Sequence, residues 1–550
     1  MEKKTVLAIV LSLVVWIGWT KFFSPKPPVP ATNNEEPAVS ENIKEEAKTL
    51  PKAKSTNIVK IAAKKKITNE VKSQIETPIY KVVLSNKGAK IESIKYGKKN
   101  IELAVGYDKM NAKAGLDFPI YFVKEDMLNG SLLDDLLWEE KKISDKEISY
   151  ITLTELNGKT VQIEKTYTFT NEHYFDVNYK ITNLSASSLS FPEENIYISS
   201  PEFLGPVMKN YEGYYNAPSS IYLLSDDDSL EKGTKGGVFG FAKMKEEHNP
   251  VWAGIMSRFI SLVMLPQNFK AKNVIWDSRE KDGFRTTLSL EVSNAEHLQP
   301  IEKKVRICLS EKKKDILVAI DSSLKAASDT SKWIEPIRVA VIWCLFWLNK
   351  ILGNFGWAIV VFSIITKLIF LPLTIKSTNS MKKMSELAPK MNELKAQYKN
   401  DPARLQKETM ELYKKSGANP LGGCLPLLIQ MPFFFALYSA LSNSIDMWQT
   451  PFFGWIKDLS MPDTVTQIMG INLNILPLLM TVTTIVQQKL TTVDSGNNSQ
   501  KIMMMLMPIF MLYIFWQMPS GLVLYWTIQN ALQIAHQYYV MKKPKDEAKA

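Results

Sequence analysis

A lysine interrupts a stretch of sequence in which a charge is out of place. Lys367 falls inside the apolar run of residues 357–373, Trp-Ala-Ile-Val-Val-Phe-Ser-Ile-Ile-Thr-Lys-Leu-Ile-Phe-Leu-Pro-Leu, five residues before Pro372. An ammonium deep in a bilayer costs roughly 2.5–3.5 kcal/mol on insertion scales, so something must offset it. One reading is that the stem snorkels, because the residue stands about 9 Å of helix from the end of the run at ~1.5 Å per residue. The other is a hydrated groove among helices. Polar groups in other apolar segments favour the second reading: Ser363 one turn before the lysine, Gln430, Thr481, Thr483, Thr484, Gln529 and Asn530. Singly, each is more often an interhelical hydrogen bond than a functional group. Together with a lysine they describe a wet groove.

Signals for bond-making chemistry are absent. Asn157-Gly158-Lys159-Thr160 ends like a phosphate loop, but Leu153 stands where its leading glycine belongs, and a hairpin turn is the better reading. HExxH, GxSxG and GxGxxG signatures do not occur in the required settings. Cys308, Cys344 and Cys424 are widely spaced and the four histidines are scattered, which points to neither a disulfide framework nor a metal site. No cofactor is expected, and the chain is read as not an enzyme. Acidic residues of a β-sandwich can still converge in space, so a carbohydrate site stays open at this point.

The elements that position these residues follow from composition. At 550 residues and 62.5 kDa the chain exceeds one compact core. Charge concentrates before residue 330 and long apolar runs follow it, and the net charge of +11 favours an anionic partner. Residues 5–20 form an apolar run flanked by Lys3, Lys4 and Lys21, with Trp16 and Trp19 suited to an interface and no small-residue cleavage site after it. Residues 1–23 are therefore expected to be an uncleaved signal anchor. Further segments of spanning length lie at 354–375, 420–441, 468–488, 502–518 and 521–540, giving six transmembrane helices. With the start in the cytoplasm, eighteen Lys/Arg fall in the inner segments, whereas the short outer loops hold only Lys457. Helix count and charge asymmetry thus agree, and both termini are expected in the cytoplasm.

Between the first two spans the sequence divides again. Residues 24–76, with Pro25, Pro27, Pro28 and Pro30 and Lys/Glu/Asn-rich sequence, read as a flexible linker. Residues 77–330 read as an all-β sandwich on the outer side: Phe175, Val177, Tyr179 and Ile181 alternate with polar residues, as do Phe284, Thr286, Leu288, Leu290 and Val292. Residues 333–352 carry Trp333, Ile337, Val341, Leu345 and Leu348 at helical spacing, an amphipathic helix lying in the outer headgroup plane. Residues 354–541 form the five-helix core. Within it, residues 376–415 read as a cytoplasmic helical hairpin: Met381, Met384, Leu387, Met391, Leu394 and Tyr398 give one apolar seam, with Lys382 and Lys383 beside it, and Asp401-Pro402 starts the second arm. Ten basic and five acidic residues make the hairpin a docking surface for client, lipid or ribosome, or else simply a solvated face. Residues 542–550 form a basic cytoplasmic tail.

Three motifs in this frame resemble the YidC/Oxa/Alb membrane insertases: Asn419-Pro-Leu-Gly-Gly-Cys-Leu-Pro-Leu-Leu-Ile-Gln-Met-Pro432, Phe370-Leu-Pro-Leu-Thr374 and Pro519-Ser-Gly-Leu-Val-Leu-Tyr525. The match covers residues 350–540, while the outer region, with Thr234-Lys-Gly-Gly237, is more weakly similar to the Gram-negative YidC form. The resemblance implies a bacterial inner-membrane insertase and chaperone with a periplasmic β-supersandwich domain. It would act on nascent integral membrane proteins, alone or with the Sec translocon, with the ribosome and lipid bilayer as further partners and no specific nucleic-acid sequence. It also implies a hydrophilic substrate groove at Lys367, Ser363, Gln430 and Trp526. The family usually carries arginine at the Lys367 position. Lysine lacks the planar fork, so point-charge attraction survives where a bidentate grip does not. Two rival readings are a transporter or channel with Lys367 as an anion site, for which no inverted repeat is visible, and a membrane-anchored carbohydrate-active envelope protein.

Overall fold

The computed structural model describes residues 69–104, 115–129, 132–205, 218–226, 230–233, 244–278, 284–328, 334–398, 401–417, 425–468, 471–491 and 498–542. The first apolar run, residues 24–68, Thr234-Lys-Gly-Gly237, Trp333, Cys424 and the tail from residue 543 lie outside the described residues.

The first part is built on a nine-stranded antiparallel sheet. Its strands run in the order Glu231–Gly233, Ser219–Leu224, Pro250–Met256, Ile260–Pro266, Pro300–Glu311, Tyr174–Asn183, Lys159–Phe169, Glu147–Leu156 and Glu139–Ser144. Period-two alternation holds on Tyr174–Asn183, where Phe175, Val177, Tyr179 and Ile181 are fully buried. Asn157 and Gly158 both take positive φ, 51° and 72°, which makes the Leu156-to-Lys159 link a two-residue hairpin turn and not a phosphate cradle. A five-stranded sheet and a four-stranded sheet pack on the large one: Thr286 donates to Gly254 O at 2.8 Å, and Tyr80 to Leu309 O at 2.6 Å. A short helix, α1 (Lys124–Asn129), contacts the five-stranded sheet, and α2 (Lys314–Ile320) follows the last long strand.

Two sequence expectations need correction here. Lys72–Glu76 is a strand paired with Tyr80–Ser85, so the linker ends before residue 72; Ile75, 2 % exposed, anchors it in the core. Phe284–Glu291 is buried on both faces except at its last residue. Its alternate positions are polar but bonded: Arg285 donates to Tyr121 Oη at 2.7 Å and pairs with Asp117 and Glu202, and Thr287 meets Ser199 at 2.6 Å. Polar alternation signals a solvated face only when nothing bonds to it.

The helical part begins with α3 (Glu335–Leu352), which buries Val341, Leu345 and Leu348, exposes the stacked pair Trp343 and Trp347, and ends at Gly353 in the left-handed region (φ 69°). Asn354 caps α4 (Phe355–Ile369) by accepting from the N–H groups of Gly356 and Trp357. A Cβ on Gly356 would stand 1.9 Å from the Phe452 ring, so only glycine allows that approach. The chain then bends by 62° at Phe370 into α5 (Leu371–Glu386), where Pro372 removes a backbone donor. Residues 354–375 are therefore two helices, and the second runs on into the expected hairpin. A further break at Leu387, two residues before Pro389, separates α6 (Ala388–Gln397); Asp401 caps α7 (Pro402–Lys415), and Gly417 follows with φ 61°.

The remaining helices are α8 (Leu425–Asn443), α9 (Ile475–Thr491), α10 (Asn498–Phe515) and α11 (Ser520–Lys542). The segment expected to start at 468 starts at 475 instead, because Thr464–Ile468 and Ile471–Asn474 pair as a β-hairpin. Among the described residues no single helix is long and apolar enough to cross a membrane; the bent pair α4 and α5 passes that test together.

Three basic side chains join the β-rich part to the loop after α8. Arg258 donates to Ser442 O at 2.6 Å and Ser460 O at 2.7 Å, and Lys99 donates to Asp446 O and Trp448 O, both at 2.8 Å. Lys313 pairs with Asp446 at 3.3 Å. Burial pushes the Lys99 amine below its usual range, against the pull of Asp446 and Asp458.

Candidate functional site

The polar residues of the helical part converge on α11. Its backbone follows α4 in the same direction at a fixed offset. Gln529 Nε2 donates to Ser363 O and to Thr366 Oγ1, both at 2.9 Å, and one turn later Lys367 Nζ donates to Gln533 Oε1 at 2.5 Å. Residues four apart on a helix share a face, which is why Gln529 and Gln533 can serve successive turns of α4. On the flank turned to α9, Asn530 donates to Thr484 Oγ1 at 2.9 Å and Thr483 Oγ1 at 3.3 Å. Gln430 reaches the same helix from α8, donating to Tyr525 Oη at 2.8 Å, and the Tyr525 ring stands 6.2 Å from Phe362.

The expected site residues are thus only partly brought together. Lys367 is half-buried and meets an amide, not a carboxylate; among the described residues no acid lies within ion-pair distance of it. Ser363 is fully buried, with its hydroxyl donating to Ile359 O at 2.7 Å, so it lines the α4–α11 contact and not an open wall. Trp526 packs between Phe434 and Phe515, each 5.4 Å away. On the hairpin, Lys382 and Lys383 are exposed and Met381 and Met384 half-buried. Leu387 and Met391 are buried, Met391 Sδ lying 3.5 Å from Thr409 Oγ1 on α7, so part of the expected docking seam is spent on the hairpin's own packing. Thr366 and Gln533, the groups that organise the lysine's surroundings, are not among the expected residues; the recurrence of Gln529, Gln533 and Gln537 at every fourth residue is a signal for Gln533, and Thr366 has none.

Chemically, the site offers a cation whose ammonium has three donors and one assigned acceptor, flanked by amides and hydroxyls in a low-dielectric setting. That suits transient pairing with a carboxylate or a peptide group. Among the described residues no three His, Cys, Asp or Glu side chains converge as a metal site.

Residues 72–343 match the family described as YidC periplasmic domain, and residues 347–547 the one described as 60Kd inner membrane protein. Over 631 residues the chain is 32 % identical to the membrane protein insertase YidC of Leptospira interrogans serogroup Icterohaemorrhagiae serovar Lai, covering 100 % of this chain and 99 % of that one. It is also 32 % identical to the protein of the same name from Syntrophus aciditrophicus, covering 99 % of this chain and 100 % of the relative. A solved structure described as an active YidC insertase with its first transmembrane domain resolved is 18 % identical and covers 88 % of this chain and 95 % of that one, with a TM-score of 0.36.

Proposed function

As this chain belongs to the YidC family of membrane protein insertases, we propose that it inserts nascent integral membrane proteins into the inner membrane through the polar seam around Lys367. The observation that carries the reading is the Lys367–Gln533 pair, a cation held between apolar helices by an uncharged amide and so left free to meet a client's acid.

In this reading six helices span the bilayer: the signal anchor, the bent α4 with the start of α5, and α8, α9, α10 and α11. The β-rich part is periplasmic, α3 lies on the outer surface with Trp343 and Trp347 in the headgroups, and the α5–α7 hairpin and basic tail are cytoplasmic. Support comes from the eighteen inner Lys/Arg and from the exposure of that tryptophan pair. A client's polar tail approaches the hairpin, lodges near Lys367, and crosses as its apolar segment enters lipid. Apolar burial at roughly 25 cal/mol per Å² drives the step without nucleotide, and the seam lowers its barrier. Sec translocon and ribosome are proposed partners, the latter through exposed Lys382, Lys383 and the tail. Relatives carrying the name insertase support a chaperone-like role with no covalent chemistry.

The test is photocrosslinking from positions 430 and 533 of the full chain to stalled nascent membrane proteins. Adducts with membrane clients, and none with a secreted soluble chain, are expected. No adduct from either position would refute the groove.

A further inference from the structure

On α11 the glutamines 529, 533 and 537 stack one above the other, and the first two are bonded to α4 at a constant separation of 166 residues. Continuing that offset sets Leu371 opposite Gln537. There the pattern fails for a structural reason: α4 has ended at Ile369, and the chain has turned by 62° at Phe370. Gln537 is nonetheless 2 % exposed, and neither its Nε2 nor its Oε1 has a hydrogen-bond partner among the described residues. The Nδ1 of His536, next to it, also lacks one. Asn530, on the adjoining flank, is doubly bonded, so the lack is local to this turn.

A buried amide with both ends unmade is disfavoured, whereas an apolar side chain of the same length would carry no such penalty. Its retention makes sense if a second state satisfies it. The partner can be read from the amide itself. A carboxylate would use the donor and leave Oε1 bare, and a cation would do the reverse; a group with a donor and an acceptor side by side answers both. The N–H and C=O of one residue in extended backbone point to the same side and form such a pair, and a client entering an apolar environment before its helix closes carries backbone groups that need partners.

We propose that the Gln537 amide takes up the backbone of one extended residue of the inserting client, donating to its C=O and accepting from its N–H, one turn beyond the site where Lys367 reads charge. This rests on the insertase reading above. Lys367 then discriminates among clients by their acidic groups, while Gln537 grips any of them.

The experiment uses the full chain in proteoliposomes, with one client bearing an acidic tail and one a neutral tail. Gln537→Met should lower insertion of both by about fivefold or more, two hydrogen bonds at about 0.5 kcal/mol or more each, while the thermal midpoint holds or rises by about 2 °C. Insertion of both clients within twofold of the wild type overturns the proposal, as does a loss confined to the acidic client, or a loss that follows a fall in the midpoint. A photocrosslinking side chain at 537 should capture stalled clients; silence there, with position 430 giving adducts, also overturns it. A wild-type chain that inserts neither client refutes instead the insertase reading on which it stands.

Discussion

Replacing the lysine of the seam separates electrostatic guidance from simple snorkelling. Lys367 has an amide as its assigned partner and no acid within ion-pair distance among the described residues, so its charge is available to a client. A carboxylate about 5 Å from the amine gains about 3 kcal/mol at an effective dielectric of ~20, and about 0.8 kcal/mol at ~80. A half-buried amine lies between these limits, near 2 kcal/mol, or about thirtyfold in rate. Lys367→Met should therefore slow insertion of an acidic-tailed client about thirtyfold in reconstituted vesicles. Lys367→Glu should slow it further by a similar factor, because attraction becomes repulsion, and Lys367→Arg should stay within about threefold. The methionine variant also strips Gln533 Oε1 of its donor, but that loss falls equally on a neutral-tailed client. The ratio between the two clients isolates the charge. Equal insertion of both clients by the Met, Arg and Glu variants would refute the reasoning and leave Lys367 as a snorkelling residue.

Arg258→Ala removes two charge-assisted hydrogen bonds worth about 1.5–3 kcal/mol each, so hydrogen exchange in residues 442–461 should accelerate at least tenfold while α11 is unaffected; unchanged exchange would show that Arg258 does not hold the loop. Lys165 is buried in the β-sandwich against the rings of Tyr167 and Tyr179, and burial pushes its amine down to about 8 from 10.5. The unfolded chain then binds more protons between these values, so the stability of this part should rise with pH from about 8 upward, by about 3 kcal/mol over the window at most. Lys165→Met should flatten that rise and stabilise the domain at pH 7, read by exchange in strands Lys159–Phe169 and Tyr174–Asn183; an identical pH profile in the variant would contradict it. Deleting residues 378–414 should abolish client insertion with exchange in the β-rich part unchanged, and normal insertion would remove the hairpin's role. Lys457→Cys and Gly496→Cys in a cysteine-free background should label from opposite faces of intact spheroplasts; labelling from one face would break the six-span topology.

What neighbours in sequence decide was legible in sequence. Alternating Phe175, Val177, Tyr179 and Ile181 make a strand with one buried face, Asn157-Gly158 makes a two-residue turn, Asp401-Pro402 starts a helix, and a charge inside an apolar run marks Lys367 as a residue to be explained. Each rests on interactions within a few residues of chain. Tertiary structure alone decided which groups meet. Register between α4 and α11 gave Lys367 to Gln533 and buried Ser363; the bend at Phe370 left Gln537 without a partner among the described residues; bonds to Tyr121 and with Ser199 satisfied buried polar positions of Phe284–Glu291. Those outcomes depend on the relative placement of segments 88 or more residues apart. Side-chain periodicity fixes the face of a helix but not how far it slides along its neighbour, and that sliding is set by how the whole core fills its volume.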